Sequence, residues 1–362
     1  MLQFTVGRCL AALSLLFVTL TIQAQNITTP RTPSPAGNVS QTIGISTVTV
    51  NYSRPSVKGR KIWGGIVPYG YNKQAFGAGN DAPWRAGANE NTVLKLSHPA
   101  TIEGHAVPAG EYGLFFVINE DNTGEVILSK DSRSWGSFWY TADHDLFRAK
   151  ITTREIPPTE MLTYDFQNLT KTSGELVLNW EKRQFPVKVE FDVDNIVMAN
   201  AVEELKGPVG FNWQGFWSAA NYAVANKVNY DQALVWIDRA ILINPNFNTL
   251  STKANLVKAT GNPTQSDSLM REAVAFGTEN DLNNYGYQLL NDKQFDRAIE
   301  VFVLNTQKHP KSPNVFDSLG EAYATKGDKK NAILNFRKSL SMNPPEATKI
   351  NSEKYLKQLG AM

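Results

Sequence analysis

The chain has 362 residues, of which 42% are apolar and 19% charged, with 36 lysines and arginines against 34 acids. That length exceeds what one hydrophobic core usually serves and suggests two domains, or one domain and a repeat array. The composition is too apolar and too lightly charged for disorder, and a net charge of +2 leaves no overall field to draw the chain onto nucleic acid or an anionic membrane.

Residues 1–25 read as a signal peptide. Arg8 is the only charge there, an apolar run spans Cys9 to Ile22, and Ala24 precedes Gln25 and Asn26, so cleavage is expected after Ala24 or Gln25. The run falls short of the ~20 residues a membrane span needs, and no later stretch approaches that length. The expected product is exported, periplasmic or extracellular, and soluble. Cys9 is the only cysteine and opens the run, where it does not suit lipid anchoring. The rest of the chain therefore has no disulfide, thiol nucleophile or cysteine ligand for zinc. Residues 26–38, with Pro30, Pro33 and Pro35, read as a flexible spacer.

Residues 39–195 alternate with period two. The runs ISTVTVNYS (45–53), TVLKLS (92–97), GLFFVI (113–118), EVILSK (125–130), MLTYDFQNL (161–169), GELVLNW (174–180) and FPVKVEFDV (185–193) are short, rich in β-branched and aromatic residues, and bounded by turn formers. They predict an all-β domain, an antiparallel sandwich or a partly open barrel. KTSG (171–174) and EKRQ (181–184) read as the turns of a closing meander, with Lys188, Glu190 and Asp192 on its wet face.

From Ile196 the period becomes 3.6. Ile196, Ala199, Val202 and Leu205 predict a connecting helix, which GPVG (207–210) ends, so 196–212 form a connector. Trp217, Ala233, Ile237, Ala240 and Pro245 then recur as Leu282, Ala298, Phe302, Asn305 and Pro310, and again as Phe316, Ala332, Phe336, Ser339 and Pro344. Leu250, Ala254, Met270 and Ala273 fit a degenerate copy between the first two. Residues 213–345 therefore predict an all-α array of four helix pairs, and 346–362 a capping helix. Asn221, standing where glycine is usual, with Ser266 and Asn305, departs from the pattern and marks looser packing. The pattern resembles the tetratricopeptide repeat family, in which small residues let two helices cross closely.

Four segments of the β region carry a second resemblance: NYSRPSVKGRKIWGGIVPYG (51–70), WRAGANENT (84–92), PAGEYGLFFV (108–117), and WGSFWY followed by DHDLFRAKI (135–151). Over roughly residues 34–195 the chain is similar to the domain of unknown function 2911, a family described as uncharacterised, mostly exported and often followed by tetratricopeptide repeats. The resemblance implies no activity. YNKQAFGAGNDAP (71–83) is longer than the connection usual in that family before its Trp-Arg pair.

Two clusters of the β domain are candidate ligand sites. Arg54, Lys58 and Arg60 crowd a turn with Pro55 and Gly59, where they either gather round an anion or pair within the domain. Trp84, Arg85, Asn89 and Glu90 put an indole, a guanidinium, an amide and a carboxylate into one loop. Such a set can hold a polar ligand such as a sugar, or tie the loop to itself with Trp84 as a core plug. Trp135, Phe138, Trp139 and Tyr140 are expected in the core rather than as a carbohydrate platform. Asp143, His144 and Asp145 are expected to form a turn rather than hold a metal, since neighbours on an extended chain point apart.

No motif calls for a metal or a cofactor, and HExxH, GxSxG, GxGxxG and the Walker sequence are all absent. The repeat resemblance implies a groove lined by Tyr222, Asn255, Lys258, Asn283, Tyr287 and Asn291. Ser218, Asn226, Asn248, Ser251, Asn314, Asp317 and Glu321 extend it. Such a lining, mostly amide and hydroxyl, suits an extended polypeptide, or the groove is filled by the chain's own connecting helix. Two readings of function follow. One is an exported binding or scaffold protein whose array holds a protein partner and whose β domain holds a polar or anionic ligand. The other is an exported hydrolase of glycans or peptides with the array as docking arm.

Overall fold

The computed structural model describes residues 33–361, so the signal-peptide reading and most of the spacer lie outside the described residues. The chain divides into two compact units between Phe191 and Asp192.

The first unit holds twelve described strands, all paired antiparallel. A six-stranded sheet runs in the order β1 (Ala36–Ile43), β2 (Ser46–Ser53), β5 (Thr92–Leu96), β8 (Gly110–Ile118), β9 (Thr123–Ser129) and β10 (Asp145–Thr152). A four-stranded sheet runs β11 (Arg154–Gln167), β12 (Ser173–Glu190), β6 (Ala100–Ile102) and β7 (His105–Val107), and a small hairpin joins β3 (Asn72–Lys73) to β4 (Asp81–Ala82). Neither large sheet closes, which leaves a sandwich rather than a barrel. Their inner faces meet through ring pairs, Phe116 with Phe185 at 5.5 Å and Tyr52 with Tyr164 at 4.7 Å.

Strand β8 is buried on both faces, which explains its unbroken apolar run. Its inner side chains join the sandwich core. On its outer side Phe115 and Val117 form a second cluster with Ile127, Ala82 and Tyr140. Ala82 comes from the β3–β4 hairpin and Tyr140 follows a short 3-10 turn (Gly136–Trp139), so these two segments roof the sheet and build the shelf described below.

Three expectations need correction. EKRQ is not a turn: β12 runs unbroken through it, with Glu181 at φ +53° opposite Thr159, where the register shifts. A bulge absorbs the irregularity, so the closing meander is a two-stranded hairpin. Pro157 and Pro158 are tolerated in β11 because that strand is a sheet edge. Second, residues 36–38 of the expected spacer belong to β1, held by pairing with Tyr52, Ser53 and Asn51. Third, the connecting helix α1 (Val193–Glu204) starts three residues early, because the Asp192 side chain accepts from the Asn195 backbone N–H and caps it.

The second unit contains ten described helices. After α1 come the pairs α2 (Trp213–Asn226) with α3 (Tyr230–Ile243), α4 (Phe247–Ala259) with α5 (Pro263–Phe276), α6 (Glu279–Asn291) with α7 (Phe295–Lys308), and α8 (Pro313–Lys326) with α9 (Lys329–Leu340); α10 (Glu346–Gln358) closes the unit. A Cβ on Gly286 would stand 2.5 Å from the Phe302 ring, which is why the third pair needs glycine at its crossing. In the first pair Ala220, fully buried, takes that place, and Asn221 is exposed. The buried small residue therefore stands one position before Asn221, which corrects the reading of Asn221. Buried Asn305 is no simple loosening either, since its amide donates to the Glu279 carbonyl at 3.0 Å and ties α7 to α6.

Candidate functional site

The cations of the first turn do not converge on a ligand. Arg54 donates to the Leu162 carbonyl at 3.0 Å and to Thr163 Oγ1 at 2.7 Å, fastening β2 to β11. Exposed Arg60 donates to the backbone carbonyls of Val57 and Ser56, closing its own turn. Lys58 is exposed, and its backbone N–H donates to Glu160 Oε1. Arg54 and Arg60 thus have structural roles, because each guanidinium spends donors on the domain's own oxygen acceptors.

The WRAGANE loop behaves differently. Trp84 exchanges both backbone hydrogen bonds with Phe116, at 2.8 and 2.9 Å, and its ring stacks on Trp180 at 5.8 Å and 17°. Trp63 meets it edge-on, as the core-plug alternative had it. Glu90 turns toward β2, accepting from Ser53 Oγ at 3.5 Å. Arg85 and Asn89, with one side of Trp84, line a pocket of about 320 Å³ on the shelf over the six-stranded sheet. Asn72 and Gln74 of the β3–β4 hairpin, Ser137, Ile66 and Pro68 complete much of its wall. Sequence reasoning missed the hairpin residues, although the unusual length of 71–83 was their visible signal.

Arg85 is the pocket's one ionisable side chain. Its Nη1 donates to the Asn89 carbonyl at 2.6 Å, and its guanidinium lies 4.8 Å from the centre of the Phe138 ring. Gly136 has φ +64°, and a Cβ there would meet the guanidinium at 2.3 Å, so only glycine leaves room for it. Burial alone lowers the Arg85 pKa. Among the described residues no carboxylate pairs with it, and residues 1–32 contain no aspartate or glutamate. A half-buried cation with no carboxylate partner keeps unspent charge, which a carboxylate or another anion could neutralise.

The aromatic segment also departs from expectation. Tyr140 is buried, but Trp135 and Trp139 are each 51% exposed, and Phe76 of the hairpin loop is 67% exposed. Phe76 meets Phe138 edge-on at 5.7 Å and Trp139 at 6.2 Å. The roof is too thin to bury these rings, so part of the expected core is a surface platform beside Arg85. Asp143 and His144 lie in a 3-10 turn (Ala142–His144), as a turn reading requires. Asp145 accepts from Tyr140 at 2.8 Å and from Arg148 at 2.6 Å.

In the helical unit the implied groove is occupied at both ends and open in the middle. The Tyr222 hydroxyl donates to Asp194 of α1 at 2.7 Å. At the other end Asn351 of α10 donates to Asp317 at 2.8 Å and Ser352 bonds the same carboxylate. Tyr287 donates to Glu321 at 3.2 Å. Between them a cleft of about 340 Å³ separates the second and third pairs. Asn248, Ser251, Asn255 and Lys258 line it from α4. From α6 the lining includes Asn284 and Gln288, one position on from Asn283 and Tyr287, with Asp281, Tyr285 and Leu289, and none of Asn283, Tyr287 and Asn291 is part of it. The ion pair of Arg297 with Asp267 at 3.2 Å closes its floor.

Residues 34–189 match the family described as "Protein of unknown function (DUF2911)", and residues 314–346 match a tetratricopeptide repeat family. The chain thus carries a DUF2911 domain followed by a tetratricopeptide repeat region. It has no match among curated proteins. A solved structure titled for PilF of Pseudomonas aeruginosa is 22% identical, covering 42% of this chain and 71% of that one at a TM-score of 0.30. YrrB, titled a TPR protein with an unusual peptide-binding site, is 18% identical over 45% of this chain and 89% of its own, at 0.29. MamA is 14% identical over 42% and 89%, at 0.30.

Proposed function

We propose that this chain, a DUF2911 domain joined to a tetratricopeptide repeat region, is an exported binding scaffold. Its helical array holds an extended polypeptide, and its β domain holds a polar, anionic ligand at Arg85. The observation that carries the reading is the central cleft. The chain's own flanking helices satisfy the polar groups at both ends of the groove, whereas Asn255, Lys258, Asn284 and Gln288 are exposed in the middle. Amide side chains offer both donors and acceptors to a strand's backbone. The charges around the cleft, Lys258 and Arg297 against Asp267, Asp281 and Asp292, nearly cancel, so binding should depend weakly on salt. No acid or base lines the Arg85 pocket, which favours holding a ligand over hydrolysing one. Among the described residues no helix is long and apolar enough to cross a membrane.

Panning a display library of unstructured peptides against the full chain tests the reading. Selected peptides should lose at least tenfold in affinity to N255A or Q288A and none to V235A, which alters an exposed position on α3. Peptides indifferent to both cleft changes would contradict it, as would binding that collapses at moderate salt.

A further inference from the structure

Resting on the reading of the Arg85 pocket as a polar-ligand site, we infer that its ligand is an acidic oligosaccharide, with a uronate carboxylate on Arg85 and the next sugar ring on Phe76 and Trp139. Three observations converge. The pocket offers a single guanidinium, matched to the single charge of a carboxylate, where a phosphate would be better met by several cations. Beside that cation stand the amides of Asn72, Gln74 and Asn89, which can both give and accept the hydrogen bonds of sugar hydroxyls. Phe138 lies over Arg85, Phe76 meets Phe138, and Trp139 meets Phe76, so a run of touching rings begins at the cation.

The exposure of these rings is informative. Phe76 and Trp139 are among the most exposed large apolar side chains of the unit, yet they stand together and are linked to Arg85 of the polar pocket through Phe138. Exposed aromatic faces with amides and one charge fit the mixed surface of a pyranose, whose C–H faces are apolar and whose rim is polar. A peptide C-terminus would need a nest of backbone N–H groups around its carboxylate. Here Asn89 instead turns its carbonyl to the guanidinium. The hairpin that supplies Asn72, Gln74 and Phe76 is held to the sheet through Ala82 and to the 3-10 turn through Ala78, whose N–H donates to the Phe138 carbonyl at 2.8 Å. The pocket and the platform therefore keep one geometry.

Calorimetry on the full chain with trimers of galacturonate, glucuronate and mannuronate, their methyl esters and inorganic phosphate is the test. At least one free-acid trimer should bind, and its methyl ester, which keeps the sugar and loses the charge, should bind at least tenfold more weakly. R85K should cost at least tenfold. F76A combined with W139A should cost as much while leaving the melting temperature of the free protein unchanged, since both side chains are exposed. Equal binding of ester and acid would overturn the inference, as would an F76A/W139A variant that binds like the original. Binding of phosphate alone would overturn it while sparing the anion-site reading, and binding of no probe would sink both.

Discussion

Arg85 and Gly136 form a pair in which one residue exists to make room for the other. Changing Gly136 to alanine places a methyl 2.3 Å from the guanidinium at φ +64°, whereas Gly59 has a similar φ, +68°, with nothing within 4 Å. G59A should therefore cost only backbone strain, ~1 kcal/mol, and G136A that strain plus displacement of Arg85, ~2–4 kcal/mol in all, as read by urea denaturation. Equal losses would mean that Arg85 moves aside freely. R54A should destabilise the free protein by ~1–3 kcal/mol, because it strands the Leu162 carbonyl and the Thr163 hydroxyl, while K58A stays within ~0.5 kcal/mol. The sequence could show that Arg54, Lys58 and Arg60 were close along the chain. It could not show that Arg54 reaches a strand more than a hundred positions away, and a guanidinium's partner is a matter of topology. For Arg85 the composition of the loop was the right clue, although Trp84, the residue most suggestive of sugar stacking, is turned into the core.

At the scale of elements, the long β11–β12 hairpin is tied by Arg154 at the start of β11, whose two terminal nitrogens each donate at 2.9 Å to Glu175, beside the turn at the start of β12. Those bonds hold the Glu175 carboxyl below its ordinary value of 4.5 and outweigh the opposing effect of burial. A depressed folded-state pKa means that the contribution is complete above about pH 4.5 and is lost as pH falls through the lower folded value. E175Q should remove that part of the acid sensitivity at a cost no larger than ~1 kcal/mol at neutral pH, since the pair is solvent-screened. Denaturation midpoints between pH 3 and 7 would check it, and parallel pH profiles of variant and original would refute it. The period-two runs exposed most strands, because one face of each meets a core. They could not reveal that Glu181 takes a left-handed conformation inside β12, for a polar tetrapeptide reads alike as turn and bulge. The helix pairs were legible in full because glycine and alanine mark every crossing. The one-residue shift in the first pair was hidden by its own near-regularity.

Across the whole molecule, the two units carry separate cores, so residues 34–191 and 192–362 should each fold alone, giving β-type and helical circular dichroism. Two unfolded fragments would refute this. Export is a claim of the same scale. The mature N-terminus should begin near Gln25 or Asn26 when sequenced, and an intact Met1 in a cytosolic fraction would refute it. Within the helical unit one apolar cluster gathers α1 to α4 and another α6 to α8 with Val274 of α5 packed against it, and the open cleft lies between the second and third pairs. That cleft is expected to hold another polypeptide, and site-specific photo-crosslinking from the full chain in its own host addresses it directly. A photoreactive residue at position 255 or 288 should give several-fold more adduct with another polypeptide than one at exposed position 235, whereas equal yields from all three, or no adduct from the cleft, would contradict it.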